Sequence, residues 1–531
     1  MILTDYNSLY SLSLKFKCGL KNIKYYSVKK PLFLIWMLIT IIIGYNCSGV
    51  NSKQTLNFPK LHFASISFDA LTPVSLVYQS GIYSLYYQSE ASDKNKAQLV
   101  FITLSKDLIH WSEPVKAKFT TGNSDLQYAN VMIDHNDASS TNTTKHKPLI
   151  AFLLVKNKNG QCDFILNRSN DNGTTWSVDL SKVSFPISLM NNYKPTITWD
   201  AQHSKWIMAL ANNEAAEFYS STDLKSWVKE SAFKKPAKLQ LNTWTRVSCF
   251  PVNSKNWALL IDQQLENKDD GSVIQYYIGS FDGHEFNNLS TKQHWLDYGK
   301  DNIYSVICDG LLSNQKPVII GLKSNTNYSN VGSFQTWRGS TTFPRTLEID
   351  SVYNEKLLSV HPVATINQLI KRTVFIKDIK LDGDLNLDKK VGFNKTPILL
   401  TIKFETTEMT RMNFPPTFGI CLENDKKEKL TIGYNTFRRW YYIDRTNFVI
   451  AQNNSQFGGI QYMPCYHTDS TMVVSMILDD TSLELFTENG KLAMTENFLP
   501  QQRFNHLSLF AESGFIRVKE INVKDLNSIW K

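Results

Sequence analysis

At 531 residues the chain is too long for one ordinary hydrophobic core, and two domains are the expectation. Its formal charge of +9 owes much to the front, where Lys15, Lys17, Lys21, Lys24, Lys29 and Lys30 stand against Asp5 alone; beyond it no Lys/Arg run is clustered, which excludes a nucleic-acid footprint. Aromatic residues make up 12%, with 12 Trp and 23 Tyr, which fits a β-rich protein whose rings serve as core or as sugar-facing surfaces.

In chain order, the apolar run Pro31–Gly44 follows Lys29-Lys30 and ends at Asn46-Cys47-Ser48. A basic segment, a short apolar segment and a following cysteine predict an exported lipoprotein, with residues 1–47 as extension and signal peptide and Cys47 as the lipid acceptor. A simple membrane anchor is the alternative, although a spanning helix needs about 20 apolar residues. Residues 1–28 precede the basic segment unusually, as if translation began near Val28. The remaining cysteines (Cys18, Cys162, Cys249, Cys308, Cys421 and Cys465) show no CxxC or metal-ligand spacing, so no metal or cofactor is expected and at most one disulfide.

After a linker over 48–59 the pattern becomes short strands and turns, an all-β reading. One turn recurs: Ser105–Trp111 (S-K-D-L-I-H-W), Ser169–Trp176 (S-N-D-N-G-T-T-W), Ser221–Trp227 (S-T-D-L-K-S-W) and Ser280–Phe286 (S-F-D-G-H-E-F). An Asp that caps backbone N–H groups and an aromatic that packs back between sheets explain the pattern. Recurrence at about 50–65 residues is the length of a four-stranded propeller blade.

Longer motifs lie between the turns. His62-Phe63, Leu71-Thr72-Pro73-Val74-Ser75-Leu76-Val77-Tyr78 and Tyr83–Gln88 open the series; Asn192-Tyr193-Lys194-Pro195-Thr196-Ile197-Thr198-Trp199 and Trp244-Thr245-Arg246-Val247-Ser248-Cys249-Phe250-Pro251-Val252 follow. Trp295–Asp301, Trp337-Arg338-Gly339, Phe343-Pro344-Arg345 and the closing Ser528-Ile529-Trp530 complete it. From about residue 60 to the end the chain resembles glycoside hydrolase family 32, the levanases, inulinases and invertases. That resemblance implies a five-bladed β-propeller over 60–350, a linker over 351–361 and a β-sandwich over 362–531.

It also implies three carboxylates in a central funnel: a nucleophile in N-D-P-N, a stabiliser in R-D-P and an acid/base in E-C. Retaining glycosidases need two of these about 5–5.5 Å apart. Aligned without gaps, those positions hold Thr72, Lys194 and Thr245. A threonine hydroxyl without a base is a weak nucleophile, and a lysine reverses the sign of the charge that steadies the transition state. Asp69 as a substitute nucleophile, or Asp134, Asp297 and Asp301 as relocated acids, are the routes to a working enzyme.

Sugar binding needs no acid pair. Gln88, Tyr193, Lys194, Trp244 and Trp337 are the candidate sugar contacts, each of which core packing would explain equally well. Val100-Phe101-Ile102 and Gln127-Tyr128-Ala129-Asn130 depart from the family's pattern and imply a reshaped pocket. The expectation is a non-catalytic fructan-binding protein at the cell surface, held in the outer membrane by lipid alone. A glycan importer and a partner hydrolase would be its neighbours. An active levanase-like hydrolase with relocated carboxylates and a purely structural subunit are the other readings.

Overall fold

The computed structural model describes residues 58–530, leaving out 65–70, 90–97, 137–145, 180–182, 189, 191–192, 213, 238–241, 266–271, 291, 326, 329–338, 395, 407–413, 455 and 467–468. Cys47, Asp69 and Trp337 therefore lie outside the described residues.

Five antiparallel sheets are built in chain order, each from the inside outward. Blade 1 is Leu71–Gln79, Ile82–Ser89, Leu99–Ser105 and Val115–Lys116; blade 2 is Asp125–Ile133, Leu149–Lys156, Cys162–Ser169 and Ser177–Asp179. Blade 3 is Thr196–Asp200, Lys205–Ala211, Ala215–Ser221 and Val228–Lys234; blade 4 is Thr243–Pro251, Trp257–Gln264, Ser272–Phe281 and Phe286–Asn288. Blade 5 is Ile303–Asp309, Val318–Lys323, Arg345–Val352 and Glu355–Pro362. The ring closes where the innermost strands of blades 5 and 1 pair in parallel, Leu76 with Cys308 and Val77 with Asp309. Second strands such as Leu149–Lys156 (L-I-A-F-L-L-V-K) are apolar at successive positions because both faces meet a neighbouring blade.

The recurring turn joins the third and fourth strands of blades 1 to 4. Asp107 Oδ1 accepts the N–H groups of Ile109 and His110, Asp223 those of Lys225 and Ser226, and Asp282 those of His284 and Glu285. Leu108, Gly173, Leu224 and Gly283 take positive φ inside the four turns, and the Trp176 and Trp227 indoles donate back to the carbonyls of Gly173 and Leu224. Asp223→Ala should cost about 1 kcal/mol, the loss of a cap of this kind, read as a lower urea midpoint with an unchanged slope.

The C-terminal half is a sandwich whose two sheets share one strand. His506–Leu526 pairs at its start with Thr417–Glu423 and at its end with Ile398–Glu405, while Ile370–Asn386 runs along it throughout. Lys429–Asn435, Trp440–Asp444 and Ile460–Pro464 extend the first sheet; Thr471–Leu478, Ser482–Thr487 and Leu492–Asn497 extend the second. Leu400, Ile402, Phe418, Ile420, Met476 and Leu509 interdigitate between them.

One expectation needs correction. Residues 351–361, read as a linker, are mostly the ends of the two outer strands of blade 5, Arg345–Val352 and Glu355–Pro362. Tyr353 and Asn354 at positive φ make the tight turn between them. The chain then passes through a short 3-10 turn, Ala364–Leu369, into the sandwich.

The hairpin Ser482–Asn497 explains how the halves join. Its strands are buried at every position: Leu483, Leu485, Leu492 and Met494 enter the sandwich core, and Phe486 and Ala493 enter the propeller's. Glu484 accepts from Arg345 of blade 5 at 2.7 Å and meets His62 at 2.9 Å; His62 also meets Asp479 at 2.8 Å. Arg345 reaches Asp297 at 2.9 Å, and Arg445 reaches Asp301 at 2.9 Å and Glu496 at 2.8 Å. Buried charge on this scale is tolerated because every ion has an opposite partner.

Candidate functional site

The innermost strands of the blades start around the axis, and four of the five shift register there: between Pro73 and Ser75, Leu126 and Tyr128, Trp244 and Arg246, and Ile303 and Val306. A bulge re-aims the side chains beside it, and bulges gather at barrel rims and active sites. Tyr304, inside the last of them, sits at φ 51°, an uncommon conformation for an aromatic residue.

Arg246 occupies the axis. It is 1% exposed, and its guanidinium donates to Asp262 Oδ2 at 3.0 Å, to the Pro73 carbonyl at 3.2 Å and to the Ser305 carbonyl at 2.6 Å. One side chain of blade 4 thereby holds the innermost strands of blades 1 and 5. Asp262 on the second strand of blade 4 spends its other oxygen on the Tyr304 N–H at 2.9 Å. Burial pushes the Asp262 carboxyl above its ordinary value, against the pull of Arg246 and that N–H. Beneath lies an axial cavity of about 50 Å³, lined in part by Ser75, Asn130, Thr198, Ser248 and Ser305, which has room for a few water molecules.

Thr72, Thr245 and Lys194 lie around this centre. Thr72 adjoins Pro73 and pairs with Gln88 across blade 1, and the Gln88 amide donates to the Gln127 carbonyl of blade 2 at 2.9 Å. Thr245 lies in the blade 4 bulge and donates its hydroxyl to the Asp262 carbonyl at 3.1 Å. Lys194 precedes blade 3 and sets its ammonium 4.2 Å from the ring centre of Tyr304 in blade 5; the Arg246 guanidinium lies 5.5 Å from the same ring. Thr72, Gln88, Lys194 and Thr245 are all partly open to solvent. Among the described residues, the floor around Tyr304 therefore offers hydrogen-bond donors and one carboxylate already bonded on both oxygens.

Other candidates fall elsewhere. Trp244 is 3% exposed, set between Phe233 and Lys235 with its indole donating to Gln263 at 3.2 Å, so its faces are core and not an open platform. Tyr193 is half-buried against the core between blades 2 and 3; burial first, and the Glu217 charge second, push its phenol up. Asp134 pairs with Arg168 at 2.8 Å in blade 2. Asp297 takes the Thr495 N–H at 2.7 Å besides Arg345, and Asp301 takes the Asn497 N–H at 2.7 Å besides Arg445, so both belong to the seam with the sandwich. None of these three aspartates lines the axial cavity.

Arg246, Asp262 and Tyr304 are the residues that sequence reasoning passed over. Arg246 stood beside Thr245 in the motif, and Asp262 follows a run of five apolar residues in its strand (W-A-L-L-I-D-Q-Q), which is a signal for a paired buried acid. Nothing local marks Tyr304.

Comparison with known proteins gives one family over both halves. Residues 71–362 match the glycosyl hydrolases family 32 N-terminal domain, and residues 365–525 the glycosyl hydrolases family 32 C-terminal domain. A levanase of Bacillus subtilis is 24% identical over 519 residues, covering 95% of this chain and 76% of the levanase. An invertase of Schizosaccharomyces pombe is 24% identical over 508 residues, covering 89% and 85%. In structure, an exo-inulinase from Aspergillus awamori superposes with a TM-score of 0.76 at 20% identity, over 90% of this chain and 100% of that one. A fructofuranosidase from Schwanniomyces occidentalis complexed with fructose gives 0.76 at 19%, over 90% and 100%. Likeness at that identity establishes the fold: a propeller followed by a sandwich.

Proposed function

This chain belongs to glycoside hydrolase family 32, and from that premise we propose that it is a non-catalytic member that captures fructan, of the levan or inulin type, at the cell surface. One observation carries the reading: aligned without gaps to the family's motifs, Thr72, Lys194 and Thr245 fall at the three acid positions, and in the structure they lie around the Arg246–Asp262 pair. Hydrolysis with retention requires one carboxylate to attack and one carboxylic acid to protonate the leaving oxygen. Asp262 fills neither role, because Arg246 and the Tyr304 N–H take both its oxygens. The competing reading of an active hydrolase loses support from Asp297 and Asp301, which are committed to Arg345 and Arg445.

The relatives named levanase and exo-inulinase support fructan as the ligand class. Gln88 and Lys194 are the contacts proposed at the funnel. The apolar run before Cys47 supports export as an outer-membrane lipoprotein, where the polymer would pass to a partner hydrolase and a glycan importer. Incubated with levan, inulin or sucrose, the purified protein should release reducing sugar at less than about 10⁻⁴ of the rate of an active relative, as expected when nucleophile and acid/base are both missing. In native gels containing levan or inulin it should be retarded. Enzyme-like release would defeat the non-catalytic reading, and free migration in both gels would defeat the binding one.

A further inference from the structure

Lys194, proposed as a hydrogen-bonding contact at the funnel floor, carries a positive charge that a neutral fructan leaves unused. Its side chain crosses from the segment before blade 3 to Tyr304 of blade 5, partly open to solvent, with the ammonium 4.2 Å from the ring centre. Among the described residues no carboxylate lies within ion-pair distance of it. Asp262 acts on it through space, but both Asp262 oxygens are engaged by Arg246 and the Tyr304 N–H. Arg246 presents a second cation to the same ring at 5.5 Å. Among the described residues around the Tyr304 ring, two cations thus stand against one carboxylate, Asp262. A ring face attracts a cation without neutralising it, and a walled cavity focuses the remaining positive potential toward its mouth.

We infer that the funnel binds an anionic group, the carboxylate, sulfate or phosphate of a sugar-sized ligand, on the Lys194 ammonium. Lysine and arginine donate only, and their strongest partners are charged oxygens. This goes beyond fructan capture and does not rest on it, since a polymer can lie along other surfaces while the funnel takes a charged end or a separate small ligand.

Titration calorimetry on the full chain tests it with matched pairs: glucose against glucuronate, galactose against galactose 6-sulfate, and fructose against fructose 6-phosphate. At low ionic strength the anionic member of at least one pair should bind about ten-fold or more tighter, and the preference should shrink as salt screens it. Which pair shows it names the anion. Lys194→Met should abolish the preference and Lys194→Arg should keep it. Equal affinity within all three pairs, no binding by any anionic member, or a preference that survives Lys194→Met overturns the inference. Retardation by levan or inulin without anion preference defeats this inference alone, whereas anion preference without retardation defeats fructan capture alone.

Discussion

Arg345→Met should lower the stability of the folded chain by about 3–5 kcal/mol, the cost of removing one partner from a buried ion pair. The guanidinium lies between Asp297 and Glu484 at 2.9 and 2.7 Å and also donates to the Thr495 hydroxyl at 2.6 Å, with all three groups sealed from water. Methionine fills much of the volume but leaves two carboxylates facing each other across the seam. The loss is read as a fall in the urea midpoint. The pH dependence should change as well. Burial alone would raise the Glu484 carboxyl, but Arg345, with His62 and the Phe343 N–H, overrides burial and holds it down to about 2. A depressed carboxyl contributes stability that is complete above its unfolded value, near 4.3, and is lost as pH falls from there through about 2. In Arg345→Met the depressing charge is gone, so acid should cost the variant less further stability over that window than it costs the wild type. An unchanged midpoint together with an unchanged acid slope would mean that the seam does not depend on this arginine.

Arg246→Met should cost a comparable amount, again about 3–5 kcal/mol, because it strands Asp262 and leaves the Pro73 and Ser305 carbonyls without their donor. The double variant Arg246→Met/Asp262→Leu should recover part of that loss, since it removes the unpaired charge with its partner. Arg246→Lys should not restore the wild-type state, because an ammonium cannot match a planar fork that donates to three acceptors on three blades. Urea unfolding of the three variants separates these outcomes. A double variant no more stable than Arg246→Met would show that the carbonyl contacts to blades 1 and 5, and not the ion pair, account for the effect.

The propeller was readable wherever its signals are local. The Asp turns after Ser105, Ser169, Ser221 and Ser280 depend on backbone groups two to four residues away, so each copy carries its own explanation. The outer hairpin of blade 5 hid because Tyr353-Asn354 turns without glycine or proline, and the polar residues on either side resemble a connector. Trp244 could not be assigned from its motif, since a tryptophan read in sequence looks the same in a core as on a sugar platform; Phe233, from the outer strand of blade 3, decides it. Thr72, Lys194 and Thr245, singled out by alignment to the family's motifs, lie around Arg246 and Tyr304. Asp297 and Asp301 could not be placed from sequence because their partners are distant, Arg345 of blade 5 and Thr495 of the sandwich for the first and Arg445 and Asn497 of the sandwich for the second, with Asp301 and Arg445 144 positions apart. No window of sequence contains such a pair.

The clasp on Lys60, Leu61 and His62 bears on how the molecule is assembled. The Lys60 and Leu61 N–H groups are held by Asp479, the Lys60 carbonyl accepts from Ile529, and the Trp530 indole donates to the Pro59 carbonyl at 2.7 Å. Contacts spanning 418 to 471 positions give the chain a high contact order, the topology associated with slow folding. During synthesis every blade strand is complete once residue 362 has emerged, yet the strap leading into blade 1 stays unfastened until Ile529 and Trp530 have emerged as well.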